Sequence, residues 1–131
     1  MIFIGILVSL SIFAMADKAG ADQIQNTCPY KGVASWYSRR DSGVLKTTAN
    51  MEIFNDNDFT CAMWDVPFGT KLRITNLENG RSVVVRVNDR GPAKRLVRRG
   101  RIVDLSKKAF SKIAPLHKGL VKVEVSVLSY L

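Results

Sequence analysis

The chain has 131 residues, with 20 Lys and Arg against 11 Asp and Glu and a net charge of +9. That length holds one domain, and 47% hydrophobic residues supply a core, which excludes a disordered or low-complexity chain. So basic a protein suits a polyanionic partner: nucleic acid, anionic membrane or acidic cell wall.

The first element is an apolar run from Ile2 to Met15, broken by Gly5, Ser9 and Ser11. It is shorter than the roughly 20 apolar residues that cross a bilayer, and it has the length of a signal-peptide core. Ala14-Met15-Ala16 follows as an A-x-A cleavage pattern, with Ala19-Gly20-Ala21 as a second. Residues 1–16 are therefore expected to be a signal peptide, residues 17–31 a polar leader and residues 32–131 the folded domain. Export to the periplasm or the exterior makes nucleic acid the least suited partner, and a soluble monomer without a stable membrane anchor is expected after cleavage. Gln25-Asn26-Thr27 precede Cys28 where a lipid-attachment motif needs small and apolar residues. Cys28 and Cys61 are the two cysteines, and an even count in an exported chain predicts one disulfide.

Gly32 to Tyr37 reads as a strand, with Val33, Ser35 and Tyr37 on one face and Ala34 and Trp36 on the other. Residues 38–50 are loop-like, and Asn55 to Met63 has room for a short helix. Thr70 to Thr75 and Ser82 to Val87 alternate, and Leu77-Glu78-Asn79-Gly80 between them is a hairpin signal. Residues 88–101 read as a long basic loop. Ile102 to Leu105 is a short buried strand, and Ser106 to Ile113 a helix with Ser106 as N-cap. Leu120 to Leu128 alternates, with Val121, Val123, Val125 and Val127 on the inner face. Short strands, tight turns and one or two short helices give a mainly β, compact barrel.

Four segments carry a resemblance: GVASWYS at 32–38, KTTANMEIF at 46–54, VPFGTKLRITNLENGRSVVVRVNDRGP at 66–92 and RIVDLSKKAF at 101–110. Together they resemble the rare lipoprotein A (RlpA) family from about Gly32 to Leu128. The resemblance implies a six-stranded double-psi β-barrel related to that of expansins, binding to peptidoglycan glycan strands, and in some members lytic transglycosylase activity on strands stripped of stem peptides. The family's lipid-attachment motif and second domain are not matched.

Cutting a glycosidic bond without water needs one carboxyl that protonates the leaving oxygen, after which the sugar's own C6 hydroxyl attacks C1. Asp89, in Asn88-Asp89-Arg90-Gly91-Pro92, matches the family's groove aspartate and is the first candidate. Glu52 is the second catalytic candidate, to bind a sugar hydroxyl or tune Asp89; it matches the glutamate of the family's TANGE segment, where Met51 stands in place of the usual glycine. Met63 stands where the family usually has a groove histidine, and a thioether moves no proton. Trp36 and Tyr37 are candidates to stack on a sugar, although Trp36 equally fits the core. Arg90 and Asp104 complete the expected substrate-binding set, with the Asp104 carboxylate expected to bond backbone in the barrel or at the next helix. Lys94, Arg95, Arg98, Arg99 and Arg101 extend Arg90 into a basic cluster, either a solvated face or a contact for acidic wall polymer. His117 reads as surface. No Cys/His spacing suggests a metal, no glycine-rich phosphate loop is present, and no cofactor is expected. Beside the enzyme stand two other readings: a non-catalytic, expansin-like glycan binder, and a protein that binds another envelope protein through its basic loop.

Overall fold

The structure is a computed structural model and describes residues 29–130. The expected signal peptide, Cys28 and most of the leader lie outside the described residues. Six strands form: β1 (Tyr30–Tyr37), β2 (Thr60–Ala62), β3 (Lys71–Asn76), β4 (Ser82–Asp89), β5 (Arg101–Ser106) and β6 (Leu120–Ser129). Two short helices, α1 (Lys94–Val97) and α2 (Lys107–Ile113), and a 3-10 turn at Leu116–Lys118 complete the domain.

The alternation seen in the sequence is realised side chain by side chain. In β6, Val121, Val123 and Val125 are buried while Lys122 is exposed. In β3 and β4, Leu72, Ile74, Val83, Val85 and Val87 turn inward. Asn79-Gly80 makes the β3–β4 turn. Gly80 takes the left-handed conformation at φ 73°, which a side chain resists, and Gly80 N–H donates to Asn76 O at 2.8 Å. Ser106 caps α2, its hydroxyl accepting from Ala109 N–H. The helix then lays Ala109, Phe110 and Ile113 on the core. Its last free carbonyl, Ile113 O, accepts from Asn76 and Asn79 side chains at 2.8 and 2.9 Å. That locks the β3–β4 turn to the helix end.

The strands close into a barrel in the order β1-β5-β2-β4-β3-β6. β1 pairs β5 and β2 pairs β4 in parallel, and the other four pairings are antiparallel. Closure leaves no free sheet edge. This is the expected mainly β, six-stranded double-psi barrel. Its interior is filled by Val, Leu and Ile together with Phe110, each contributing about 1.5–3 kcal/mol through burial.

Three expectations about elements are corrected. Asn55 to Met63 holds no helix: Asn55 to Asp58 forms a turn and Thr60–Ala62 is β2. Its fully buried strand residues carry no alternation that would reveal them, since both faces are covered. The basic loop is shorter than 88–101. β4 runs through Asp89, and α1 occupies the middle of the remainder. β1 begins at Tyr30, inside the expected leader, because Tyr30 and Lys31 pair with Val125 and Glu124 of β6.

Candidate active site

On β1, Tyr37 lines an open groove and Ser35, two residues before it, is buried. Ser35 and Tyr37 lie on one face of the strand, and each hydroxyl donates to a carboxylate from a neighbouring strand. Ser35 donates to Asp104 Oδ1 of β5, and Tyr37 donates to Asp89 Oδ2 at 3.1 Å. Asp89 ends β4, and its Oδ1 accepts two backbone N–H groups, Ala49 and Arg90, both at 2.9 Å. Asp104 Oδ1 also accepts from Arg101 at 3.0 Å. Both carboxylates line one groove of about 290 Å³ with Tyr37, Leu45, Thr47 and Gly91. Gly91 comes close to one of them: a Cβ there would lie 3.6 Å from Asp104 Oδ2. Burial, then the Asp89 charge and the hydrogen bond to it, push the Tyr37 phenol well above its usual range. Tyr37 therefore stays a donor. Its ring stacks on Phe54 at 4.5 Å and 3°.

The Ala49 N–H reaches Asp89 because a small hairpin is clamped over β4. Thr48 N–H donates to Glu52 O at 2.8 Å, and Phe54 N–H to Lys46 O at 2.9 Å. Glu52 meets Arg86 of β4 in a two-point ion pair at 2.6 and 2.8 Å, and also accepts from Asn50 and Asn88 at 2.8 and 3.2 Å. These contacts, the Arg86 hydrogen bonds foremost, hold the Glu52 carboxyl down at about 2. At neutral pH such a carboxyl is already ionised and holds no proton to give, so the arrangement fits a positioning part for Glu52.

Because the pair lowers the folded-state value from 4.5 to about 2, its stabilisation is complete above the ordinary carboxylate range. It is lost as pH falls from about 4.5 towards 2. The two side chains are 36% and 39% exposed, so solvent screening limits the gain to about 1 kcal/mol. Acid titration of wild type and Glu52→Gln, followed by denaturant unfolding, should show a gap near pH 6 that closes below pH ~2. A gap that persists there would separate the hairpin's stability from this pair.

Met51, at the tip of the hairpin, has φ 73°. A side chain in that region costs about 1 kcal/mol, which explains why the family's glycine suits the position. Met51 is 81% exposed and contributes little packing to offset the strain. Met51→Gly is therefore expected to raise stability by about 0.5–1 kcal/mol, read as a higher denaturant midpoint at unchanged slope.

Comparison with known proteins follows the same lines. The family described as lytic transglycolase matches residues 24–125. The chain belongs to the RlpA family of these barrels. It is 44% identical over 99 residues to the probable endolytic peptidoglycan transglycosylase RlpA of Nostoc sp., covering 76% of this chain and 26% of that protein. It is 43% identical over 99 residues to the endolytic peptidoglycan transglycosylase RlpA of Campylobacter jejuni, covering 76% of this chain and 34% of that one. The chain thus spans between a quarter and about a third of these relatives. Among solved structures, the Streptomyces papain inhibitor matches with a TM-score of 0.60 at 23% identity, over 77% of this chain and 94% of that one. The Clavibacter michiganensis expansin matches with a TM-score of 0.59 at 18% identity, over 79% and 52%. At such identities the likeness is one of fold.

Within this RlpA-family barrel, several expected site residues take other places. Trp36 packs against the core, and its indole N–H donates to Leu116 O at 3.0 Å, so it is committed to the barrel wall. Met63 is 5% exposed in the core cluster and faces a separate hollow with Tyr30, Trp64 and Ile102. It is absent from the lining of the Asp89 groove. The Arg90 guanidinium donates to Met63 O and Val66 O at 2.9 and 2.7 Å and lies 3.9 Å over Phe68. That guanidinium braces the turn before β3, while Arg90 itself still borders the Asp89 groove. The Asp104 carboxylate bonds the side chains of Ser35 and Arg101 instead of the expected backbone groups. Cys61 is wholly buried in β2, and burial pushes its thiol up. His117 is exposed, as expected. Ser35, Phe54 and Arg86 support the site and were not singled out in the sequence, and Arg101, read there only as part of the basic cluster, bonds Asp104. Only strand pairing brings them to it, although the i, i+2 spacing of Ser35 and Tyr37 placed those two on one face.

Proposed function

We propose that this chain is an exported endolytic peptidoglycan lytic transglycosylase in which Asp89 is the acid and then the base. The observation that carries this is the Asp89 carboxylate, fixed at the mouth of the groove by two backbone N–H groups and the Tyr37 hydroxyl, with Asp104 lining the same groove. In its protonated form Asp89 gives its proton to the glycosidic oxygen as the C1–O bond breaks. The Asp104 carboxylate offsets the positive charge developing at C1. The C6 hydroxyl then bonds to C1, its proton returns to Asp89, and a 1,6-anhydro end remains. No group at position 63 is required, which fits a methionine turned into the core. Glu52 acts through the hairpin that delivers Ala49 N–H.

The name of the Campylobacter jejuni relative supports the activity, and the apolar run at residues 2–15 supports export through a signal peptide, residues 1–16. Among the described residues no helix is long and apolar enough to cross a membrane. Action as a soluble monomer in the periplasm or outside the cell, with a Cys28–Cys61 disulfide, belongs to the same proposal. The test is digestion of peptide-free glycan strands and of intact sacculi by the purified, oxidised chain, with products read by mass spectrometry. Anhydro ends are the expected result. Strands bound but left whole would replace the enzyme by an expansin-like binder.

A further inference from the structure

Among the described residues, a dense run of exposed positive charge lies beside the two-carboxylate groove. Between β4 and β5 the chain passes through α1, and Lys94, Arg95, Arg98 and Arg99 are all exposed. The ion pairs among the described residues are Arg86–Glu52, Arg101–Asp104 and Lys118–Glu78, and none includes these four cations. The segment that carries them is well tied. Leu96 N–H donates to Ala93 O at 2.8 Å, Arg98 N–H to Lys94 O at 3.1 Å, and Gly100 N–H to Val97 O at 2.9 Å. Gly100 O in turn accepts from Val33 of β1 at 2.8 Å. The backbone that carries the cations is therefore fixed, and it forms the ridge from which they project.

Beside the ridge is a hollow of about 340 Å³ lined by Trp64, Asp65, Lys94, Val97 and Arg98. Asp65 is its single acidic side chain. The Lys94 ammonium lies 4.9 Å over the Trp64 ring, and the indole N–H donates to Pro92 O at 2.6 Å. Pro92 and its neighbours Gly91 and Ala93 also line the Asp89 groove. One short segment thus walls the groove and begins the ridge, so a strand leaving the groove on this side meets the cations.

We propose that the α1 ridge is an anion-recognition surface for carboxylates borne on the glycan backbone itself, which grips an acidic strand beside the bond being cut. This rests on a glycan lying in the groove. Guanidinium groups bind carboxylates at two points. A carboxylate on a short lactyl ether of the sugar stays close to the ring in the groove. One at the end of a flexible peptide must be ordered first, which costs affinity. A ridge of fixed backbone therefore favours the group held close to the ring.

The test compares the full chain with its Arg95→Gln, Arg98→Gln, Arg99→Gln triple variant, which leaves Lys94 on Trp64. The probes are peptide-free glycan strands with free lactyl carboxylates, the same strands with those carboxyls amidated, and phosphatidylglycerol vesicles. The variant should bind acidic strands about tenfold more weakly at low ionic strength and bind amidated strands like wild type. The gap should close as salt rises from about 0.01 M to about 1 M and the Debye length falls from about 30 to about 3 Å. Equal binding of both proteins to acidic strands, an equal loss on amidated strands, a loss confined to vesicles, or no wild-type binding to acidic strands would each overturn the proposal. Anhydro ends are measured in the same samples. A wild type that binds acidic strands through the ridge and cuts none would remove the transglycosylase and leave the ridge standing.

Discussion

Asp89→Asn is expected to lower glycan cleavage by a factor of about 10² to 10⁴ while the barrel melts within a few degrees of wild type. An amide keeps the volume of the carboxyl and can keep its contacts. Its oxygen still accepts Ala49 N–H and Arg90 N–H, and its nitrogen can donate to the Tyr37 oxygen, which carries a lone pair for it. What an amide cannot do is carry the proton to the leaving oxygen and take one back from the C6 hydroxyl. Anhydro ends counted by mass spectrometry, beside a thermal melt of the same preparation, check both halves. A variant that still cuts at the wild-type rate would take Asp89 out of the chemistry and direct attention to Asp104, the other carboxylate of the groove.

Phe54→Ala should produce the largest loss of stability near the site. Phe54 is 1% exposed, backs the Tyr37 ring at 4.5 Å and anchors the hairpin that carries Ala49 and Glu52. Removing a buried ring costs about 3–5 kcal/mol. For a domain of about 100 residues that lowers Tm by at least about 12 °C. Cleavage should fall as well, measured where the variant is still folded, because Tyr37 loses the surface that holds it on Asp89. Phe54→Leu separates the two effects: it refills much of the space and returns stability, but gives no ring to stack on. If Phe54→Leu restored stability and full cleavage together, the stack would have no part in setting Tyr37. If Phe54→Ala cost under about 1 kcal/mol, the hairpin would be held by Glu52 and Arg86 instead.

Local patterns in the sequence determined most of the strands, and the resemblance of its motifs pointed to the double-psi barrel and to Asp89 as the candidate acid. Val121, Val123 and Val125 alternate with Lys122 and Glu124, and a period of two has one physical reading, a strand with one face inward. Asn79-Gly80 marked its hairpin because few residues accept a positive φ, and Ser106 marked its helix because it caps its own neighbours. Asp89 stood out where an alternating run opens into Gly91-Pro92. All of these are local signals. Tertiary structure decided the rest. β2 is three buried residues, too short for any period to show, and it exists because β4 and β5 flank it. The parts given to Glu52, Arg86 and Phe54 depend on a hairpin folding across a strand more than 30 residues away in sequence. Likewise the Met63 side chain and the Arg90 guanidinium, beside the groove in sequence, turn elsewhere, because the choice between groove and core is made by packing across the barrel and leaves no trace in spacing along the chain.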